Sequence, residues 1–474
     1  LLWGAVGAWL GPRRSSPDLV RWLLLAFCVV LGLTLPFVRG LRPVFGGVAG
    51  AYLPFGRQLI AVLLSLMGPA LLTGWLFGTA AKSAVEAGSG VGRAYAVESL
   101  GGLVGGILAT VLLAFGISNL EALLTCCALA LAAASLPSLR KSSRLAIAAG
   151  VVGLVLLVAM VRVADLDRAM TAWTHPDLLV TRDSPYGRVT LGRAQGQIAA
   201  FVNDALVFES EGTSAEEFVH LATLQVTHPG RILVLGGVSE GLVREAMQHR
   251  PEVLDAVELD EVFLREAMRH ASHADRSALM QPEVRVHIAD GRSFLERDDR
   301  YDLIIMGLPE PDSGQVNRFY TAEFFARCAS RLAPGGVLAI RLRSLENQWT
   351  PHLTRRMSSI RAALLMSFAD VLVLPGGTNV VLASQDRLVR DPAELSARWQ
   401  ARGIRARLVS PQFLRYVMTN DRVTEIQDLL AGRVAPPTPM LIRHPIGTRC
   451  CCGCRVSIPD WRCGNRTLLG SRPG

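Results

Sequence analysis

The sequence has 474 residues, a formal net charge of +9, and a composition that is 50% hydrophobic but only 6% aromatic. This length allows two or three domains. A basic balance suits nucleic acid or a membrane surface as a partner. Because no basic cluster is interleaved with aromatic residues, we expect no nucleic-acid partner and favour the lipid bilayer.

Apolar segments rich in Leu, Ala, Val and Gly dominate residues 1–165. A membrane-spanning helix needs about 20 such residues. The sequence therefore predicts a transmembrane helical bundle with five complete spans, at 22–38, 59–80, 95–115, 120–136 and 145–163. Residues 1–10 have the character of a further span, and the chain begins with Leu1, so we expect a truncated N-terminus. Five such stretches in succession disfavour buried helices of a soluble protein.

The orientation in the membrane rests on two opposing arguments. The count of basic residues slightly favours a cytoplasmic location for the side opposite the C-terminal half. An enzyme that uses a nucleoside cofactor should instead have its C-terminal half in the cytoplasm. We give the second argument greater weight. The prediction is an integral protein of the inner or plasma membrane with its soluble domain in the cytoplasm.

The segment 231–260 is the centre of the soluble half. An unbroken apolar run before Gly236 is typical of a strand buried on both faces. Gly236 and Gly237 permit a tight turn and the close approach of a ligand to the backbone. A helical pattern follows, and then a second strand whose end carries Glu258 and Asp260. A glycine turn followed by an acid about 20 residues later is typical of a nucleoside-cofactor site.

Alternating strand and helix patterns continue through the rest of the soluble half, with a closing β-pair near its end. They predict a mostly parallel sheet covered by helices on both faces. A small β-sheet subdomain is expected at 176–212, before a Rossmann-like domain at 213–432. The tail at 433–474 is expected to be disordered. Its crowded cysteines differ from a structural zinc site, so we expect no metal. The other cysteines are expected to be buried thiols: Cys28, Cys126, Cys127 and Cys328.

Several motifs of the soluble half resemble those of the spermidine synthase (polyamine aminopropyltransferase) family. They are SPYGRV, ILVLGG, VELDE, ADG, YDLII, NRFYTAEFF and LAPGG. The segments PFGRQLIAVLL and GRAYAVESLGGLVGG resemble the variant of this family that is fused to N-terminal transmembrane helices. The resemblance implies a small β-sheet subdomain joined to an α/β Rossmann-like domain similar to S-adenosylmethionine methyltransferases. It also implies transfer of an aminopropyl group from decarboxylated S-adenosylmethionine to an amine, and a possible homodimer.

The resemblance assigns the cofactor to residues at the ends of the predicted strands. It places Glu258 on the ribose and Asp290 on the adenine amino group. Carboxylates suit both positions because they accept strong hydrogen bonds. The alternative for these two acids is a surface position at a strand end. The full expected cofactor set is Gly236, Gly237, Glu258, Asp260, Asp290 and Gly291.

The expected amine-binding residues depart from the family pattern. The aspartate of the glycine loop is replaced by Ser239, and the adjacent Glu240 either substitutes for it or faces solvent. Of the family's Tyr-His-Glu run only Glu216 remains. After the fourth Rossmann strand the first aspartate is replaced by Gly307, and Glu310 occupies the catalytic position.

Two further residues complete the expected amine site. Asp312 lies close enough in sequence to compensate for the missing acid. Tyr320 is either a core aromatic or a substrate-pocket residue, and the same choice holds for Tyr186. The sequence thus predicts a membrane-bound transferase with Glu310 as its catalytic base. The alternatives are an S-adenosylmethionine-dependent methyltransferase-like enzyme and a non-catalytic polyamine or nucleoside sensor or transporter.

Overall fold

The computed structural model describes residues 1–431 apart from 12–16, 52, 136–142, 195, 211, 312 and 345–348. The expectation for the tail at 433–474 lies outside the described residues. The N-terminal part is helical as far as residue 172. Its helices are α1 Leu2–Trp9, α2 Pro17–Val44, α3 Phe55–Glu86, α4 Gly90–Ala114, α5 Asn119–Ser135, α6 Ser143–Val161 and α7 Val163–Ala172.

Four of these helices, α2, α3, α4 and α6, are long and apolar enough to cross a membrane. The expected span at 120–136 corresponds to α5, which has only 17 described residues. At 1.5 Å per residue these 17 residues are about 25 Å long. The described helices therefore give four candidate spans, and a shorter apolar helix lies at the position of the remaining predicted span.

The second half begins with a four-stranded antiparallel sheet in the order β1-β2-β3-β4. Asn203 and Asp204 form the turn between β3 and β4, and both have positive φ angles, 51° and 62°. Asn and Asp tolerate this conformation, and a two-residue turn of this kind matches the twist of a hairpin. The strands are β1 Leu178–Ser184, β2 Gly187–Ala194, β3 Gln197–Val202 and β4 Ala205–Glu209.

The main sheet has seven strands in the order β10-β11-β9-β8-β5-β6-β7. The five strands from β9 to β7 are parallel, and β11 runs antiparallel to both of its neighbours. This is the expected Rossmann-like, methyltransferase-like sheet with its closing β-pair. The strands are β5 Arg231–Leu235, β6 Val253–Glu258, β7 Val284–Ile288, β8 Tyr301–Met306, β9 Leu332–Arg343, β10 Asp370–Leu374 and β11 Thr378–Ser384.

Helices cover both faces of the main sheet. Ile232 and Val234 pack into the core on one face, and Leu233 and Leu235 pack into the core on the other. This double burial explains the unbroken apolar run. The helices are α8 Ser214–Thr223, α9 Leu242–Met247, α10 Glu261–His270, α11 His273–Leu279, α12 Gly291–Phe294, α13 Gly314–Asn317, α14 Ala322–Ser330, α15 Pro351–Leu365, α16 Pro392–Arg402, α17 Pro411–Thr419 and α18 Asp421–Ala431.

The LAPGG motif lies within β9, at an irregularity in the pairing with β8. Gly335 has a φ of 74°, which allows the strand to continue through the irregularity. Cys126 is exposed on α5, whereas Cys28, Cys127 and Cys328 are buried as expected.

Ion pairs join the N-terminal helices to the second half. Asp167 of α7 accepts hydrogen bonds from Arg39 of α2 at 2.7 Å and from Arg188 of β2 at 2.5 Å. Arg42 of α2 forms an ion pair of 2.9 Å with Asp204 in the hairpin turn. The small sheet is therefore held between the N-terminal helices and the main sheet.

Candidate active site

The turn after β5 is built on glycine. Gly236, Gly237 and Gly241 have φ angles of 72°, 67° and 88°, which side chains rarely adopt. The Gly236 N–H donates a 2.8 Å hydrogen bond to the carbonyl of Val257, which fixes the turn against the end of β6. The strand order reverses between β5 and β8, and open α/β sheets bind ligands in the crevice at this point.

Glu258 is the buried acid at the end of β6. Its Oε1 accepts a 3.0 Å hydrogen bond from the Leu259 N–H, whereas its Oε2 is buried and has no hydrogen-bond partner among the described residues. The pKa of Glu258 is raised to about 7, mainly by burial. The negative charge of Glu240 raises this pKa further, and hydrogen bonds from backbone N–H groups lower it. A buried acceptor without a donor is costly. Glu258 therefore fits a ligand that brings a hydroxyl group, such as a ribose.

Asp260 holds two structural elements together. Its Oδ1 accepts hydrogen bonds from the N–H groups of Val262 and Phe263 and so caps α10. Its Oδ2 accepts a 2.5 Å hydrogen bond from the Ser184 hydroxyl at the end of β1. Both oxygens are therefore engaged, and Asp260 supports the cofactor region instead of presenting a free acceptor to it.

Asp290 caps the short helix α12, which begins at Gly291. Its Oδ1 accepts a 2.9 Å hydrogen bond from the Arg292 N–H, and its Oδ2 forms a 2.7 Å ion pair with Arg318. An adenine amino group would have to replace or share the Arg318 contact. The position at the carboxyl edge agrees with the expected cofactor role, but the pairing with Arg318 was not expected.

The loop after β8 packs directly on the glycine turn. A carbon added to Gly307 would lie 2.5 Å from the carbonyl oxygen of Gly236 and 2.6 Å from Leu242 Cδ1. The loop therefore has no room for the aspartate of the family pattern at this position. Tyr320 is buried, and its hydroxyl donates a 3.0 Å hydrogen bond to the Pro309 carbonyl, so it supports this loop from the core.

Glu310 occupies the expected catalytic position, but its carboxylate is already bound. Oε1 accepts a hydrogen bond from the Arg343 N–H, and Oε2 accepts one of 2.9 Å from the Arg356 guanidinium. Arg356 also donates to the Arg343 carbonyl at 3.0 Å, which anchors it beside β9. The side chains of Glu310 and Arg356 are 17% and 18% exposed, so solvent and small ligands can still reach the pair.

The glycine loop contains a second pair of this kind. Glu240 is buried and forms an ion pair with Arg341 of β9, so it does not face solvent. Ser239 is also buried, and its hydroxyl has no hydrogen-bond partner among the described residues. Ser239 therefore fits a polar ligand group, whereas Glu240 is neutralised within the protein.

The other expected amine-binding residues lie elsewhere. Glu216 is buried and accepts hydrogen bonds from the N–H groups of Arg407, Leu408 and Val409. It therefore anchors that backbone segment and is not available to an amine. Asp312 lies outside the described residues. Tyr186 is 54% exposed at the turn between β1 and β2.

The arginines of this site were missed by the sequence reasoning. Arg341 and Arg343 lie at the end of β9, in the sequence RLR. Two arginines in alternation at the end of a parallel strand were the available signal for basic residues at the site. Arg356 lies in α15, far from the motifs, and no local pattern indicated its contact with Glu310. Among the described residues, no group of acidic, histidine or cysteine side chains is suited to hold a metal ion.

Residues 211–366 match the family described as "Spermine/spermidine synthase domain". This part of the chain is similar to spermine and spermidine synthases. A polyamine aminopropyltransferase of Oceanobacillus iheyensis is 26% identical over 411 residues, which cover 82% of this chain and 78% of the relative. The residues after 175 make up less than 82% of the chain, so this similarity extends into the N-terminal helices.

Another relative matches a smaller share of the chain. Polyamine aminopropyltransferase 2 of Hyperthermus butylicus is 29% identical over 255 residues, which cover 49% of this chain and 80% of the relative. A crystal structure of a spermidine synthase with a transition-state analogue is 17% identical, covers 54% of this chain and 89% of its own, and has a TM-score of 0.47. The family match of residues 211–366 and the similarity to the Oceanobacillus iheyensis relative confirm the resemblance of the sequence motifs.

Proposed function

We propose that this chain is a membrane-attached transferase that moves an aminopropyl group from decarboxylated S-adenosylmethionine to an amine. The observation that carries the proposal is the buried Oε2 of Glu258, which has no partner among the described residues and lies beside the glycine turn. The similarity to polyamine aminopropyltransferases over most of the chain supports the same reaction class.

Each residue of the nucleoside end has a proposed task. Glu258 accepts the ribose hydroxyls, and Gly236 and Gly237 let the ligand approach the backbone closely. Asp290 accepts from the adenine amino group through Oδ2, with Arg318 giving up or sharing its contact. Gly291 begins the helix that Asp290 caps, and Asp260 keeps α10 and β1 in place.

At the amine end, the donor supplies an alkyl carbon that its sulfonium group activates. We propose that Glu310 orients the amine and receives its proton. The amine nitrogen forms a bond to that carbon as the carbon–sulfur bond breaks, and the bonding electrons remain on sulfur in methylthioadenosine. The Arg343 N–H keeps the Glu310 carboxylate at the edge of the cleft while Arg356 moves aside or shares it.

The membrane attachment is part of the proposal. The four long apolar helices suit a bilayer anchor by length and composition. We propose that the synthase domain faces the cytoplasm, where a nucleoside donor would be available. Labelling of a single cysteine introduced at Glu209 with an impermeant maleimide, in intact and in permeabilised cells, tests this orientation. Modification of the Glu209 position in intact cells would contradict it.

Isothermal titration of the full chain in detergent with methylthioadenosine tests the nucleoside site directly. We expect the wild-type chain to bind and Glu258→Gln to bind about 10- to 100-fold more weakly, because a hydrogen bond to a charged group is lost. Glu261→Gln is a matched control, because Glu261 is 66% exposed and its ion pair is with Arg265 of the same helix, at 3.5 Å. Absence of binding to the wild-type chain would reject the proposal.

The engaged carboxylate of Glu310 favours one second candidate, a domain that binds a nucleoside without turnover. Product analysis by mass spectrometry separates the candidates. An aminopropyl addition supports the proposal, a methyl addition indicates a methyltransferase-like enzyme, and tight binding with no product indicates a sensor.

A further inference from the structure

The acids at the amine end of the site are each bound by an arginine. Glu310 pairs with Arg356, and Glu240 pairs with Arg341. Both acids lie where the proposed reaction needs a group that attracts an amine. The inference drawn from these pairs rests on the proposed function, because it concerns the acceptor of the same site.

A plain diamine is a poor complement to the pair of Glu310 and Arg356. Its ammonium group would replace Arg356 on the carboxylate and leave the guanidinium without its negatively charged partner. The Arg356 side chain is only 18% exposed and therefore only partly hydrated, so an unpaired charge there is costly. The like charge of the diamine adds repulsion at short distance.

We infer that the acceptor is an amine that also carries a carboxylate. Such a molecule supplies both halves of the existing ion pair: its amine takes the place of Arg356 on Glu310, and its carboxylate takes the place of Glu310 on Arg356. A guanidinium and a carboxylate form paired, charge-assisted hydrogen bonds, which makes this exchange favourable.

The anchoring of Arg356 supports this exchange. Its second nitrogen donates to the Arg343 carbonyl at 3.0 Å, so the guanidinium stays beside the cleft when the contact with Glu310 opens. The Arg343 N–H likewise retains Glu310. Both groups are therefore held by the backbone of Arg343, and a ligand that separates the two side chains can leave both of these contacts in place.

The carboxylate takes no part in the bonds that change. The acceptor nitrogen forms the new bond to carbon and loses its proton, and the sulfur keeps the electrons of the broken bond. Arg356 is therefore a specificity-determining residue, whose removal should alter the choice of acceptor more than the chemical step.

Ornithine and putrescine provide the matched test, because ornithine is putrescine with one added carboxylate. We expect the full chain in detergent, saturated with methylthioadenosine, to bind ornithine at least about 10-fold more tightly than putrescine in isothermal titration, as one charged hydrogen-bonded pair would give. Putrescine binding as tightly as ornithine, or more tightly, would overturn the inference. Failure to bind methylthioadenosine would instead reject the proposed function, so the two failures are distinguishable.

Variants sharpen the comparison. Arg356→Gln should reduce the preference for ornithine to about 2-fold or less, and Arg356→Lys should retain part of it, since both charge and geometry contribute. Arg390→Gln is the matched control, because Arg390 pairs with Asp370 at the far edge of the main sheet. A preference that persists in Arg356→Gln would overturn the inference. The wild-type comparison decides the question if that variant does not fold.

Discussion

Arg356 donates a 2.9 Å hydrogen bond to Glu310, so the expected catalytic carboxylate is part of an ion pair. A carboxylate that orients and deprotonates an amine must be able to release such a partner. The nucleoside end of the same cleft shows the opposite situation, because Glu258 has a buried oxygen with no partner among the described residues. In the proposed reaction these two acids therefore separate binding of the nucleoside from transfer to the amine.

Glu310→Gln should lower turnover by about 100-fold or more, because general acid–base groups contribute at least this much. The affinity for methylthioadenosine should stay within about 2-fold of the wild-type value, since Glu310 contacts the amine end only. Turnover assays and titration of the same preparation measure both quantities. Unchanged turnover would remove Glu310 from the mechanism.

The raised pKa of Glu258 makes stability depend on pH. Burial raises this pKa from 4.5 to about 7, so between these pH values the folded state binds more protons than the unfolded state. The free energy of unfolding should therefore fall as the pH rises through this window, by up to about 3 kcal/mol. The Gln side chain in Glu258→Gln does not ionise, so the stability of this variant should lack this dependence on pH.

The Tm of Glu258→Gln minus that of the wild-type chain should thus increase between pH 5 and pH 8 in the absence of ligand. Methylthioadenosine should also bind the wild-type chain more tightly at pH 8 than at pH 6, because the ionised carboxylate is the better acceptor. A difference in Tm that does not vary with pH would show that Glu258 ionises normally.

Gly307→Ala tests the contact between the loop after β8 and the glycine turn. The added carbon would lie 2.5 Å from the Gly236 carbonyl oxygen, so one of the two loops must move. We expect a loss of about 1–3 kcal/mol in stability and weaker binding of methylthioadenosine. Gly377→Ala is the control, because no atom lies within 4 Å of its added carbon. Equal thermal stability of the two variants would contradict the close packing.

Asp167→Asn tests the junction with the membrane helices. Burial by itself raises the pKa of Asp167, but hydrogen bonds and charges from Arg188 and Arg39 outweigh it and hold this pKa below its usual value. Loss of the charge leaves the partly buried Arg39 without its acid and Arg188 with only Asp183, at a cost of about 3 kcal/mol.

The comparison for this junction is Asp165→Asn on the same helix. Asp165 and Arg162 are 74% and 68% exposed, so their pair should contribute less than about 1 kcal/mol. Thermal unfolding of the full chain in detergent measures both variants. A Tm for Asp167→Asn no lower than that for Asp165→Asn would show that the junction does not depend on this ion pair.

The sequence predicted the features of the fold that depend on local patterns. The apolar run of β5 indicated burial on both faces, and the two glycines after it indicated a tight turn. Asp260 and Asp290 precede helices, and this signal for an N-cap could have shown that their oxygens are partly used by the backbone.

The pairings that change the interpretation of the site depend on long-range packing. Glu310 and Arg356 are 46 residues apart, and Glu216 lies more than 190 residues before the N–H groups that it accepts from. Neither contact has a local sequence signal, because each requires the complete sheet and its covering helices.

The most direct test of the central claim is a reaction of the purified full chain with labelled decarboxylated S-adenosylmethionine and an amine, followed by mass spectrometry. We predict that methylthioadenosine is released and that the amine gains an aminopropyl group, with both products reduced in Glu310→Gln. A methylated product, or no product from a chain that binds methylthioadenosine, would contradict the claim.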